Sequence, residues 1–188
     1  MLKTNESFLS YLSALYERQS RKEDIILKRC GKGQRILSQN EIATKVMLIV
    51  DGISKCYFTE DNDKEYIIEF LGKGEIIGEL ELIRNIPCLC TIEAMTAVSC
   101  FAIDKPYFSS LLQTDIHLNH LLLDSFAKRI VDTASRAAYQ QLYTVEHSLN
   151  KLMELQSIQN VSLSKDEMAS YLGITVRSLN RAMKNLRE

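Results

Sequence analysis

Hydrophobic and polar residues follow a short-strand pattern in the first half of the chain. An apolar run at 46–50, the turn signal Asp51-Gly52 and an alternating stretch at 53–58 predict a β-hairpin. The segments 64–71 and 91–103 continue the alternation after further turn signals. Short strands separated by frequent turns are typical of a β-sandwich or barrel, and a double-sheet jelly roll is the most economical arrangement.

Helical periodicity replaces this pattern in the second half. Six of the seven glycines fall between residues 31 and 78, whereas 107–172 contains neither glycine nor proline. Because glycine favours turns and disfavours helices, the second half is predicted to be helical. A long helix is expected over 115–143. A second helix follows, which Thr144 caps. Its predicted buried face consists of Leu149, Leu152 and Met153. At the N-terminus, Phe8, Leu9, Leu12 and Leu15 mark one side of a short amphipathic helix.

The long helix carries an apolar seam. Its large members recur every seven residues, and alanines between them permit close approach of a second helix. The seam consists of Ile116, Leu123, Ala127, Ile130, Ala134 and Ala137. The pattern favours a dimerisation helix, because a helix of this length is hard to cover with one small β-domain. The alternative is a helix that packs only on its own β-domain.

The last 28 residues predict two short helices joined by a turn. Ser164 is a good N-cap and Glu167 completes a capping box, so the first helix is expected over 165–172. Gly173 permits a sharp turn, and Thr175 caps the second helix. The inner face of the second helix is expected to bury Leu179, Met183 and Leu186. This arrangement is a helix-turn-helix.

The outer face of the second helix is basic, although the chain has 23 basic against 24 acidic residues. The candidate DNA-binding residues are Thr175, Arg177, Ser178, Asn180, Arg181 and Lys184. Recognition helices read bases near their N-termini, so Arg177, Ser178 and Arg181 are predicted to reach bases or phosphates. Lys184 and Arg187 lie further along and are predicted to contact phosphates. The alternative is an ordinary solvated helix face.

Composition and missing motifs exclude several functional classes. No apolar run approaches the ~20 residues needed to span a bilayer, and no secretory signal is present, so no membrane association is expected. The five cysteines are odd in number and lack C-x-x-C spacing, which favours a reducing, cytoplasmic compartment. The sequence shows no nucleophile–base set, no paired catalytic carboxylates and no P-loop. We therefore expect a protein that is not an enzyme and has no metal site.

The motifs GQRILSQNEIATKVMLIVDGISKCYF, GEIIGELELI and LSKDEMASYLGITVRSLNRAMKNL, in this order, resemble the Crp/Fnr superfamily of regulators related to the cyclic-AMP receptor protein. The resemblance begins near Ile25 and implies an α+β fold. It comprises a jelly-roll effector domain with its N-terminal helix over 1–113, a dimerisation helix over 114–143 and a helix-turn-helix DNA-binding domain over 144–188. It also implies a homodimer on a palindromic operator in double-stranded DNA, with one recognition helix per half-site. The β-hairpin wing that normally follows is missing before Glu188, so either the winged helix is truncated or further residues follow. A protein that ended at Glu188 would be expected to bind DNA weakly, because the phosphate contacts of the wing would be missing.

The resemblance further implies an effector pocket, which is degenerate here. In cyclic-nucleotide binders of this superfamily, a Gly-Glu-Leu glutamate meets the ribose hydroxyl, and an arginine followed by serine or threonine neutralises the cyclic phosphate. Gly78, Glu79 and Leu80 match the first motif, but the phosphate positions fall on Cys88 and Leu89. Because an unpaired buried phosphate is costly, cyclic-AMP binding is not expected and no cofactor is predicted.

The sequence thus predicts a DNA-binding transcription regulator that does not depend on cyclic AMP. An unknown small-molecule effector remains open. The alternative is a ligand- or redox-sensing module whose DNA-binding role is reduced or lost. In that case Cys88 and Cys90, expected on one face of a strand, would serve as sensors. Small buried hydrophobes are the competing interpretation of these cysteines.

Overall fold

The computed structural model describes residues 1–61 and 64–186. Its strands are β1 (Leu2–Lys3), β2 (Ile25–Cys30), β3 (Arg35–Leu37), β4 (Lys45–Asp51), β5 (Ser54–Thr59), β6 (Glu65–Leu71), β7 (Ile76–Ile77), β8 (Thr91–Ala94) and β9 (Val98–Asp104). Its helices are α1 (Glu6–Arg18), α2 (Glu79–Arg84), α3 (Lys105–Thr114), α4 (Ile116–Leu142), α5 (Val145–Gln159), α6 (Lys165–Leu172) and α7 (Val176–Asn185).

Two sheets form the β-sandwich in the first half of the chain. One has the strand order β1-β6-β5-β8-β3 and the other β2-β9-β4-β7. The β1–β6 pair is parallel, whereas the remaining pairs in the described residues are antiparallel. This arrangement confirms the predicted β-sandwich, with one refinement. The segment 91–103 contains two strands, because residues 95–97 turn the chain between β8 and β9.

Strand β4 is apolar on both faces because each face is covered. Met47 and Ile49 point between the two sheets. Val46 and Leu48 point outward and pack in a second cluster with α1, α3 and α4. The turn after β4 needs Gly52, whose φ is 93° and whose added Cβ would lie 2.2 Å from the carbonyl oxygen of Ala97.

Helix α4 packs on the sandwich along one edge only. Leu118 and Leu122 are buried against α1 and α3. On the other edge, the predicted seam is open to solvent, with Ile116 69%, Leu123 64% and Ile130 69% exposed. The three seam alanines are also exposed. The sandwich therefore leaves the seam uncovered.

The C-terminal helices begin and end where the sequence predicts. Thr144, Ser164 and Thr175 cap α5, α6 and α7, and the Ser164–Glu167 capping box is formed. Gly173 closes α6 in the left-handed conformation, with φ 69°. Two predictions of burial are wrong. Met153 lies on the flank of α5, one position past buried Leu152, and Leu186 lies beyond the end of α7; they are 45% and 40% exposed.

The C-terminal helices share a core with the sandwich. Leu152 of α5, Met168 of α6 and Leu179 of α7 join Tyr57 and Phe70, which lie on the outer face of β5 and β6. Leu2 in β1 adds a direct link, since its backbone N–H and C=O bond the side-chain amide of Gln159 at 2.9 and 3.1 Å. The helical region is therefore docked against the sheet that contains β1, β5 and β6.

Candidate functional site

At the predicted effector site, an arginine from α4 binds the glutamate of the Gly-Glu-Leu motif. Gly78 adopts φ 84° as the N-cap of α2, and Glu79, the first residue of that helix, is 1% exposed. Nη1 of Arg129 donates to Glu79 Oε1 at 2.5 Å, and Nη2 donates to the Ile76 carbonyl oxygen at 2.6 Å. The carboxylate that the family resemblance assigned to a ribose hydroxyl thus has a partner within the chain.

Two further carboxylates surround the same guanidinium. Glu75 Oε2 lies 3.4 Å from Nη2, and Glu69 Oε1 lies 3.9 Å from Nε. We call Glu69, Glu75 and Glu79 the carboxylate cluster. Lys3 adds a second cation, 2.6 Å from Glu69. Three carboxylates thus face the Arg129 guanidinium, so an anion at this position would meet carboxylates as well as the guanidinium.

Burial shifts the pKa values of two carboxyl groups in the cluster and of Arg129. Desolvation raises the pKa of Glu79 and of Glu75, while the charge of Arg129 acts in the opposite direction. Burial acts to lower the pKa of Arg129, but the three carboxylates together raise it above its ordinary value. Arg129 therefore remains charged and holds α4 on the pocket through an ion pair with little access to water.

The residues at the predicted phosphate positions do not form an anion site. Cys88 is buried, and its backbone N–H donates to the Glu41 carbonyl oxygen at 2.8 Å. Leu89 and Leu80 are exposed. Residues 88–90 also precede β8, so the expected strand placement of Cys88 and Cys90 is wrong: Cys88 is buried and Cys90 only half-buried.

Sequence reasoning missed Arg129, although a signal for it was present. Leu118, Leu122 and Ser125 are buried at spacings of four and three, and Arg129 continues this stripe four residues later. An arginine in the buried stripe of an amphipathic helix requires a buried partner, because an isolated charge there is costly. The carboxylate cluster is that partner.

The outer face of α7 is open and free of acidic residues. Arg177, Asn180, Arg181 and Lys184 are exposed there. The Thr175 hydroxyl accepts from the Ser178 N–H at 3.1 Å, so both residues are engaged in capping. Lys165 of α6 donates to Asn180 Oδ1 at 2.7 Å and adds positive charge beside the helix. Arg187 lies outside the described residues.

Arg136, two turns after Arg129, connects α4 to β6 and to α6. Its guanidinium donates to the carbonyl oxygens of Ile67, at 2.8 Å, and of Ile68 and Tyr171. It also stacks on the ring of Tyr171, with its central carbon 3.9 Å from the ring centroid, and lies 5.0 Å from the centroid of Tyr66. One side chain thus bridges three elements.

Comparison with known proteins agrees with this architecture. The sequence profile of the family "Cyclic nucleotide-binding domain" matches residues 27–115. The fold of the whole chain matches that of the c-di-GMP responsive global regulator CLP from Xanthomonas campestris, with a TM-score of 0.80, 17% identity and coverage of 97% of this chain and 92% of that one. A putative regulator of the crp/fnr family from Eubacterium rectale matches with a TM-score of 0.76 and 17% identity, covering 92% and 86% of the two chains. The resemblance to the Crp/Fnr superfamily is confirmed.

Curated relatives are also regulators. The probable transcriptional regulator flp of Lacticaseibacillus casei is 25% identical over 167 residues, which cover 86% of this chain and 76% of that protein. A cAMP-dependent protein kinase type II regulatory subunit of Drosophila melanogaster is 28% identical over 117 residues, 62% of this chain, and the chain spans only 31% of its length. In the part of the chain that the structure describes, no helix is long and apolar enough to cross a membrane.

Proposed function

We propose that this chain is a sequence-specific DNA-binding transcription regulator of the Crp/Fnr type that acts as a homodimer without cyclic AMP. The observation that carries the proposal is the open basic face of α7, presented by a fully capped helix pair. Two capped helices joined at a left-handed glycine support a helix-turn-helix, whose second helix enters the major groove. The regulators among the relatives support the same role.

The positions on α7 divide the contacts with DNA into two classes. Arg177 lies in the first turn and Arg181 one turn later, where side chains reach base edges; a bidentate arginine–guanine pair contributes about 1–3 kcal/mol of discrimination. Lys184 lies near the C-terminal end, where phosphate contacts position the helix without reading sequence. The first class gives selectivity and the second gives salt-dependent affinity.

The exposed seam of α4 supports the dimer. Three large aliphatic residues, Ile116, Leu123 and Ile130, lie along one solvent-facing edge at seven-residue spacing. Three exposed alanines on the same edge, Ala127, Ala134 and Ala137, leave room for a second helix backbone. A second copy of α4 covers this edge and places two α7 helices for the halves of a palindromic site.

The carboxylate cluster supports independence from cyclic AMP. A cyclic phosphate in the pocket would meet three glutamates, while Arg129 is already bound to Glu79, Glu75 and the Ile76 carbonyl oxygen. Freeing that arginine would leave buried carboxylates unpaired, which costs several kcal/mol. Cyclic-nucleotide binding would not offset this cost, because the protein has no cationic side chain at positions 88 and 89 to pair with the phosphate.

Fluorescence anisotropy with DNA from the chain's own promoter region tests the proposal, with titrations at several salt concentrations. We expect selective binding that weakens with salt. Arg177→Ala and Arg181→Ala should lower the preference over scrambled DNA about tenfold or more. Lys184→Ala should weaken binding to both DNAs alike. It should also reduce by about one the slope of log affinity against log salt concentration. Arg84 is an exposed arginine on α2, so Arg84→Ala is the matched control. It should change neither the preference for promoter DNA nor the salt dependence of binding. Equal affinity for promoter and scrambled DNA would refute the proposal.

Calorimetric titration with cyclic AMP and cyclic GMP tests the pocket separately. We expect no heat of binding at millimolar ligand for the full chain. Tight, saturable binding of either nucleotide would overturn our account of the pocket, and would leave the proposed DNA-binding role intact.

A further inference from the structure

A cavity of about 420 Å³ lies where α4, α5 and α6 meet strand β6. Each of these elements contributes to its lining, as does the segment 1–3. Of the carboxylate cluster only Glu69 belongs to this lining, so the cavity is separate from the effector pocket around Glu79. We call it the junction cavity. Its volume lies near the lower end of the roughly 300–1,000 Å³ that is usual for small-molecule sites.

Three tyrosine rings give the junction cavity aromatic walls. They belong to Tyr66 of β6, Tyr139 of α4 and Tyr171 of α6, and Leu152 and Leu155 of α5 extend the apolar lining beside them. Aromatic rings attract one another in offset-stacked or edge-to-face contacts. The lining therefore suits a planar aromatic group better than a flexible aliphatic chain.

Two cations in the lining lack a carboxylate partner. Arg136 donates to three backbone carbonyl oxygens, which are neutral groups. A guanidinium has five N–H donors, so two donors of Arg136 have no acceptor among the described residues. Lys151 Nζ lies 3.9 Å from the centroid of the Tyr139 ring. Neither cation forms an ion pair with a carboxylate in residues 1–61 and 64–186.

The two carboxylates of the lining are already paired. Lys3 Nζ lies 2.6 Å from Glu69 Oε2 and 3.4 Å from Asp132 Oδ2. With Arg136 and Lys151, the lining carries three cations against two carboxylates. The uncompensated positive charge therefore lies on the α4–α5 side of the cavity, where an anionic group would balance it.

We propose that the junction cavity binds a small aromatic carboxylate of one or two rings. Arg136 holds the carboxylate, because a guanidinium with free N–H donors forms strong charge-assisted hydrogen bonds with carboxylate oxygens. Lys151, which is exposed, adds a second positive charge at the rim. The ring of the acid lies against the tyrosine walls, where burial of its apolar surface stabilises the complex.

The position of the site connects it to regulation, a consequence that rests on the proposed function. Its walls include β6 of the sandwich and α6 of the DNA-binding helix pair, with α4 between them. Arg136, which holds the acid, also bonds the carbonyl oxygens of β6 and of Tyr171. A ligand that binds one orientation of the helix pair more tightly than another shifts the population toward it. The acid thus alters DNA binding without entering the effector pocket.

Isothermal titration calorimetry of the full chain with 1-naphthoate tests the site itself. We expect saturable binding of about one molecule per chain. Two further compounds separate the contributions of the ring and of the charge. 1-Naphthylmethanol has the same rings without the carboxylate, and hexanoate has a carboxylate without a ring. Each should bind at least about tenfold more weakly than 1-naphthoate.

Substitutions in the lining assign the contacts. Arg136→Gln should weaken 1-naphthoate binding at least about tenfold, because it removes the charged donor. Lys151→Gln should weaken it about threefold and leave 1-naphthylmethanol unaffected, since an exposed charge contributes less. Tyr171→Leu should weaken binding of both compounds, because it removes an aromatic wall. Lys128 is an exposed lysine of α4 outside the cavity, so Lys128→Gln is the matched control and should bind like wild type.

Hydrogen exchange with bound 1-naphthoate locates the acid. Amides of β6, α5 and α6 should gain protection, while those of α2 stay unchanged. Three results would overturn the site: no saturable binding to the wild type, an Arg136→Gln protein that binds the acid as tightly as wild type, or protection confined to α2. Absence of binding together with a dimer that dissociates more readily in Tyr139→Leu would assign the cavity to a second copy of the chain instead.

The DNA titration with saturating 1-naphthoate is the second arm. We expect promoter affinity to change at least about fivefold, and to stay constant when 1-naphthylmethanol replaces the acid. Binding of the acid without any change in promoter affinity refutes the coupling to the helix pair. A chain that binds the acid but no promoter DNA in either state refutes the proposed function and leaves the carboxylate site standing.

Discussion

Replacing Arg129 by methionine tests whether an internal cation holds the effector pocket together. The substitution keeps the length and apolar character of the buried stem but removes the partner of Glu79 and Glu75. Breaking a buried ion pair by removing one partner costs about 3–5 kcal/mol, because the remaining charge stays desolvated. We therefore expect Arg129→Met to lose about 3 kcal/mol or more of unfolding free energy, equivalent to a fall in Tm of roughly 6–20 °C at 2–4 °C per kcal/mol.

The pH dependence of that loss identifies its origin. Burial raises the pKa of Glu79 and Glu75. A carboxyl whose pKa is higher in the folded state binds its proton more strongly there, so stability increases as the pH falls through that raised pKa. Without Arg129 the pKa values rise further, because its charge opposes desolvation. The deficit of Arg129→Met relative to wild type should therefore be smaller at pH 5 than at pH 8.

Urea unfolding followed by circular dichroism measures the difference, with two reference variants. The first, Lys128→Met, alters the adjacent residue, which forms an exposed ion pair with Asp124 at 2.6 Å. Loss of this pair should cost only about 0.3–0.5 kcal/mol. Adding Glu79→Gln to Arg129→Met should recover on the order of 1–2 kcal/mol, because an unpaired amide costs less than an unpaired carboxylate. An Arg129→Met protein as stable as Lys128→Met, or a double variant no better than the single one, would refute the reasoning.

Three further substitutions probe the C-terminal helices. Ser164→Ala removes the N-cap of α6 and should cost about 1 kcal/mol in urea unfolding, whereas Ser164→Asp should cost much less. Gly173→Ala forces a Cβ into the left-handed region, 3.4 Å from the Tyr66 ring, and should cost about 1–2 kcal/mol. Arg136→Ala removes the hydrogen bonds to three backbone carbonyl groups and the stacking contact with Tyr171. Hydrogen exchange of α6 should therefore accelerate at least tenfold, while exchange in β4 stays unchanged. Equal acceleration in both elements would contradict the proposed bridge.

The C-terminal helices were predictable to the residue because their limits are encoded locally. Ser164, Glu167, Gly173 and Thr175 act on backbone groups within three or four positions, so their effect is visible in a short window of sequence. The hairpin at Gly52 follows the same rule. Burial at helix flanks was less predictable. Met153 is apolar and adjacent to the buried stripe, and only the tertiary packing shows that nothing in the described residues covers it.

The effector pocket was only half predictable because its decisive contact spans fifty positions. Glu79 could be found from the Gly-Glu-Leu turn, but Arg129 reaches it from a helix whose rotation depends on packing against α1 and α3. The cysteines illustrate the same limit. Cys88 and Cys90 are close in sequence but lie in different environments, since Cys88 is buried and Cys90 is only half-buried.

Two arginines on one edge of α4 connect the carboxylate cluster to the helix pair α6–α7. Arg129 and Arg136 are seven residues apart, so they lie on nearly the same side of the helix and about 10 Å apart along it. The first is fixed by Glu79 in the pocket, and the second by the carbonyl groups of β6 and of Tyr171 at the end of α6. Because a helix is rigid over two turns, a rotation of α4 that releases Arg129 also shifts Arg136 relative to α6. We therefore expect substitution of Arg129 to change the hydrogen exchange of α6 as well as that of α2, and an effect confined to α2 would show that the two arginines act independently.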